Sequence, residues 1–227
     1  MVERNRGRRT AGVGGRRAAG GYNDLMPLVT LALVVLLQVA PGQVAPGQQP
    51  APPLQPAPGN PVAVIATSLG DITVELFKDK APVSVANFLQ YVDDGFYGGT
   101  IFHRVERGFV IQGGGYTETL VEKATRPPIQ NEATNGLRNA RGTLAMARKR
   151  ELRSATAQFY INVANNSILD HRGFTPSEFG YAVFGRVLSG MDVVDRIADV
   201  KTGSAGDFES VPVDPVVIKG VTLKTGI

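Results

Sequence analysis

From residue 62 onward the chain is a succession of short β-prone runs separated by glycine-rich turns. Residues 62–67 and 72–76 flank Leu69-Gly70-Asp71, which predicts a hairpin. Further strands are expected at 101–105, 109–112, 143–147, 158–163, 182–187 and 216–223. Two segments carry helical spacing instead. Pro82 suits a first helical turn, Val85, Phe88, Leu89 and Val92 share a face, and Gly95 can end the helix. Residues 191–198 place Val193, Val194 and Ile197 on one side. The pattern predicts a mainly β fold, a closed antiparallel eight-stranded barrel capped by two α-helices. Closure removes exposed sheet edges. A barrel of this size is filled by its own side chains, so ligands must bind on its outer surface or in a groove.

The preceding residues have another character. Residues 1–24 hold six arginines against Glu3 and Asp24, which accounts for the whole net charge of +4. The remainder carries eighteen basic and eighteen acidic residues, so the expected domain at 62–225 lacks the basic surplus of a nucleic-acid binder. Residues 25–40 are apolar and follow the arginines directly. They fit both a cleaved secretory signal and a retained membrane anchor. Either outcome leaves the arginines cytoplasmic and exports the rest, to the periplasm or cell envelope. Residues 41–61 hold eight of the fifteen prolines and read as an extended linker or a disordered mature N-terminus. The chain has no cysteine, hence no disulfide framework and no thiolate chemistry.

Chemistry concentrates in Phe102-His103-Arg104-Val105 and Gly108-Phe109-Val110-Ile111-Gln112-Gly113-Gly114. One arginine, one aromatic ring and one amide fall close together in two apolar runs. Taken singly, Arg104 reads as a surface ion-pair residue, Phe109 as core and Gln112 as a turn amide. A second block runs from Gly142-Thr143-Leu144-Ala145-Met146-Ala147-Arg148 through Ser154–Val163, with Ala157-Gln158-Phe159-Tyr160-Ile161-Asn162 at its heart. Leu169-Asp170 and Phe179-Gly180-Tyr181-Ala182-Val183-Phe184-Gly185 follow. Gly113-Gly114-Gly115 lacks the Gly-Lys-Ser/Thr ending of a phosphate loop. His103 and His171 are far apart in sequence and have no cysteine beside them, which argues against a metal site.

This ordered set resembles the cyclophilins, peptidyl-prolyl cis-trans isomerases, over residues 62–225, and is most similar to their bacterial periplasmic type. The resemblance implies an enzyme with no cofactor. It acts on proline-containing segments of folding proteins, here exported ones. No heptad or exposed apolar stripe in the sequence argues for an oligomer, so a monomer is expected. A prolyl bond turns slowly because its amide is conjugated, with a barrier of about 18–20 kcal/mol. Catalysis must stabilise the twisted amide, and only contacts that strengthen in that state raise the rate. By resemblance Arg104 is the donor, Gln112 holds it, and Phe109, Val110, Tyr160 and Leu169 form the proline socket. Arg148 offers its main chain, Gln158 and Phe159 line the same groove, Tyr181 stands at the rim, and His103 supports the site. His171 is expected to be solvated.

Three residues depart from the family pattern. Val110 replaces a common methionine. Tyr160 replaces phenylalanine and brings a hydroxyl that needs a partner. Ile168 stands where cyclosporin-sensitive relatives have tryptophan, which implies weak cyclosporin binding. The changes at Val110 and Tyr160 leave a second reading, a proline-peptide binding module with weak or no isomerase activity.

Overall fold

The computed structural model describes residues 54–224; the segments expected at 1–24 and 25–40, and the first part of the linker, lie outside them. No helix among the described residues is long and apolar enough to cross a membrane. The chain opens with a hairpin of β1 (Val62–Thr67) and β2 (Gly70–Leu76), followed by α1 (Pro82–Asp93). Next come β3 (Thr100–Ile101), β4 (Arg104–Glu106), β5 (Val110–Gly113), β6 (Thr143–Met146), β7 (Phe159–Asn162) and β8 (Val183–Ser189). The last elements are α2 (Met191–Ala198), β9 (Thr202–Ala205), β10 (Phe208–Pro212) and β11 (Val217–Leu223).

Nine strands form one antiparallel sheet in the order β3-β11-β1-β2-β8-β6-β7-β5-β4, and β9 pairs with β10 apart from it. The expected strand at 101–105 is two strands, broken at Phe102-His103, which makes nine from the eight predicted. The break has a physical reason. β3 and β4 are the two edges of the curled sheet, so the chain crosses from one edge to the other within two residues. The seam is tied beyond β5, where Ile101 N–H donates to Tyr116 O at 2.9 Å and Gly114 N–H to Ile101 O at 3.3 Å. Gly113 lies under this crossing, and a Cβ there would stand 2.8 Å from Ile101 O. The β9–β10 hairpin was not expected, because its runs are polar and largely exposed.

Alternation sorts the strands into two faces. Ile72, Val74, Leu76, Val105, Ile111, Leu144, Phe159, Ile161 and Phe184 point into the barrel and form one core with Val85, Phe88 and Tyr91 of α1 and Val193, Val194 and Ile197 of α2. Phe159 is thereby a core residue. Its ring packs against Phe88, Tyr97 and Phe102. The expectation that it lines the groove is not met, because its neighbours Gln158 and Tyr160 take the outer face. Glu75 also faces outward on β2, yet it is fully buried. The end of the linker covers it: Ala57 N–H and the Asn60 amide each donate to its carboxylate at 2.7 Å, and Arg186 pairs with it at 2.8 Å. Burial works to raise the Glu75 pKa, but these bonds outweigh it and hold the carboxyl below the usual range. The folded body therefore begins before residue 62.

Candidate active site

Strand register assembles the site. Arg104 lies opposite Gln112, Gln112 opposite Tyr160, Tyr160 opposite Ala145 and Ala145 opposite Val183. This row crosses five strands on the outer face. Residues 104 and 112 are close because β4 and β5 form a short hairpin. Tyr160 joins them only because β7 pairs with β5.

At one end of the row stands Arg104, 39% exposed. Its guanidinium donates to Gln112 Oε1 at 3.4 Å and to Glu106 Oε1 at 2.5 Å, and its carbon lies 5.9 Å from the Phe109 ring centroid. Gln112 Nε2 in turn donates to Gln158 Oε1 at 3.0 Å. Gln112, itself held by Gln158, and Glu106 fix the guanidinium near the Phe109 ring. Glu106 is a partner not anticipated from the sequence. It sits two residues from Arg104 on the same strand, and period-two spacing alone would have placed it on that face.

Beside the arginine is an apolar depression. Val110, Ala145, Ala147, Tyr160 and Val183 form its buried floor, and Phe109, Leu169, Tyr181, Leu137 and Phe77 pack against them. The Tyr181 ring meets Tyr160 edge to face, with centroids 5.9 Å apart, and the Arg148 guanidinium carbon lies 4.7 Å from the Tyr181 centroid. Arg148 does more than its main chain suggested. Its side chain donates to the carbonyls of Gly180, Lys149, Arg150 and Pro176 at 2.8–3.2 Å, which staples the rim loops together.

The Tyr160 hydroxyl finds its partner beneath the floor, where it donates to Asn139 Oδ1 at 2.7 Å. Asn139 N–H and Nδ2 donate to Asp170 Oδ1 at 2.6 and 3.1 Å. Asn162 Nδ2 approaches the same Asn139 oxygen at 3.3 Å. Asn166 Nδ2 donates to Asn162 Oδ1 and to the Phe109 carbonyl. One buried polar network thus ties three walls of the depression: the Tyr160 ring, the backbone of Phe109 and the turn that carries Leu169. Burial first, then the neighbouring Tyr181 and the charge of Asp170, push the Tyr160 phenol well above its usual pKa, so it stays a donor.

The two histidines take different places. His103 is buried against Tyr116, at 4.6 Å between centroids, and Phe208. Burial pushes its pKa down to about 4, and nearby Arg104 adds to the effect, so the ring is neutral. It supports the base of the arginine's strand. His171 is not freely solvated as expected. It packs between Phe174 and Phe179, with Nδ1 at 2.9 Å from the Phe179 carbonyl.

A charged donor held by Gln112 and Glu106 thus stands beside an apolar floor. Residues 62–223 match the family model of the cyclophilin type peptidyl-prolyl cis-trans isomerase/CLD. The chain belongs to the cyclophilin family. Among cyclophilin relatives, peptidyl-prolyl cis-trans isomerase B of Escherichia coli (strain K12) is 54% identical over 157 residues, covering 69% of this chain and 96% of that one. Peptidyl-prolyl cis-trans isomerase cyp18 of Streptomyces antibioticus is 56% identical over 157 residues, with 69% and 95% covered. The crystal structure of a Cryptosporidium parvum cyclophilin type isomerase superposes with a TM-score of 0.63 at 26% identity, covering 74% of this chain and 99% of that one.

Proposed function

We propose that this cyclophilin accelerates rotation about Xaa-Pro bonds in exported proteins, with Arg104 as the donor to the twisted amide. The observation that carries this reading is the placement of the Arg104 guanidinium. Gln112 and Glu106 hold it beside Phe109, next to a floor of Val110, Ala145 and Tyr160. As the amide twists, its nitrogen loses conjugation and becomes a better acceptor, and an N–H of Arg104 can donate to it or to the prolyl carbonyl. That contact strengthens toward the transition state, so it lowers the barrier rather than merely binding substrate. Phe109, Val110, Tyr160 and Leu169 fix the ring. Gln112 and the main chain of Arg148 contact the peptide backbone, and Gln158 lines the same groove. No proton is transferred overall, so His103 needs no acid–base role.

Export is supported by the arginines of residues 1–24, followed by the apolar run 25–40 and the proline tract. It places the isomerase outside the cytoplasm, free or tethered.

Exchange NMR on a short Xaa-Pro peptide tests the mechanism with the full chain. Arg104→Ala is expected to lower the rate about 100-fold or more. Its effect on stability should stay within about 1 kcal/mol, because the Glu106 pair is partly solvated. A folded Arg104→Ala protein that kept its rate would remove Arg104 from the mechanism. A wild-type chain that bound peptide without exchange would be a binding module.

A further inference from the structure

A peptide whose proline sits on the Val110–Tyr160 floor must leave it in two directions along the strands. β7 starts at Phe159 and ends at Asn162, and β5 runs the opposite way beside it. Gln158 and Gln112, at one end of this pair, open into a groove of about 970 Å³ that reaches Arg148 and Phe208. Its five acidic side chains match its five basic ones. Past the other end lies a second groove, of about 670 Å³, between the short 3-10 turns Ala133–Asn135 and Ser167–Leu169. It adjoins the floor directly. Leu137 packs against the floor residues and lines this groove as well, and Ile168 and Asp170 flank Leu169.

The second groove has a distinct chemistry. Arg138 and Arg172 both line it, both are exposed, and neither pairs with a carboxylate among the described residues. The carboxylate in its lining, Asp170, already accepts two bonds from Asn139. Ile168 is 65% exposed at its edge, and Phe174 is 80% exposed on the adjoining loop. Open cationic ends above apolar surface call for an occupant with acidic side chains. An extended peptide advances about 3.3 Å per residue, so residues close to a proline on the floor are the ones that meet this adjoining groove.

We propose that this groove, between the 133–138 and 167–172 segments, is a specificity site. It takes the part of the substrate polypeptide on one side of the proline and favours aspartate or glutamate there, through Arg138 and Arg172. The proposal rests on the isomerase reading above. It adds a selection that the proline floor cannot make.

The test uses the full chain and four peptides that share one Xaa-Pro bond. One is neutral, one carries a glutamate pair before the proline, one carries it after, and one carries a lysine pair. Exchange rates are measured for wild type and for Arg138→Gln/Arg172→Gln. Wild type is expected to favour one glutamate placement over the neutral peptide by about fivefold, falling in high salt. The variant should lose that preference and keep its rate on the neutral peptide, since neither arginine is part of the floor. Equal rates on all four peptides, or a preference that survives in the variant, would overturn the proposal. Amide shifts of Leu137, Ile168 and Arg172 are followed with each peptide. If no peptide exchanges but the acidic ones still move these amides, the isomerase reading fails and the groove stands. Neither exchange nor shifts would sink both.

Discussion

Tyr160 carries a hydroxyl where a wall of the depression needs only a ring. The cost of burying it is met by Asn139, which also holds Asp170 and so the turn bearing Leu169. The two residues are therefore not equivalent. Tyr160→Phe removes one donor and leaves Asn139 Oδ1 with Asn162, so it should cost about 1 kcal/mol. Asn139→Leu leaves the buried phenol without its acceptor and removes the Nδ2 bond to Asp170, keeping only the backbone one, and should cost about 2–3 kcal/mol. It should also slow isomerisation by loosening the turn that bears Leu169. Urea titration read beside exchange NMR separates these effects, and equal costs for the two variants would refute the network. Arg104, Phe109 and Gln112 were legible at this scale because they lie within nine residues and one hairpin. Glu106 was within reach of the same argument. Asn139 was not, since its partner Tyr160 is 21 residues away and nothing local marks the pair.

The start of α1 shows the same gap between local and distant information. Its N-cap is Ala81, which offers no side-chain acceptor, and its first turn holds no acid. The acceptor comes instead from Glu132, whose carboxylate takes Val83 N–H at 3.0 Å, Ser84 N–H at 2.8 Å and the Ser84 hydroxyl at 2.7 Å. A carboxylate at this end also meets the positive pole of the helix. Glu132→Ala should lower stability by about 1–2 kcal/mol, and Glu132→Gln by less, in a thermal or urea melt. An unchanged Glu132→Ala protein would mean that solvent caps the helix equally well. Most elements were readable because alternation or a 3.6 period ran through each of them. The β9–β10 hairpin was not, since only Val211 and Pro212 are buried in it and no alternating apolar row marks it. Periodicity reports a buried face, and this hairpin nearly lacks one. The placement of Phe159 depended on sheet phase, which motif matching ignores and strand alternation decides.

For the molecule as a whole, the vulnerable line is the seam where the curled sheet meets itself. Phe102 fills the barrel at this crossing, and His103 is held outside it under Tyr116 and Phe208 of the β9–β10 hairpin. The hairpin thus covers the seam through a neutral imidazole whose Nδ1 has no hydrogen-bond partner among the described residues. Unfolding releases that ring to water, where it takes a proton below about pH 6.5, whereas the folded protein resists protonation down to about pH 4. Between these values the unfolded state binds more protons, so stability must fall as pH falls. Glu75 acts in a lower window. Its depressed pKa stabilises the fold above the usual carboxylate range, and this contribution is lost only as pH drops through and below that range. The interval from about pH 7 to 5 therefore isolates the seam, and wild type should lose about 2 kcal/mol across it. His103→Gln, which cannot charge, should start less stable yet show a much flatter dependence in urea titrations at the two pH values. A variant with the undiminished wild-type slope would place the titrating group elsewhere.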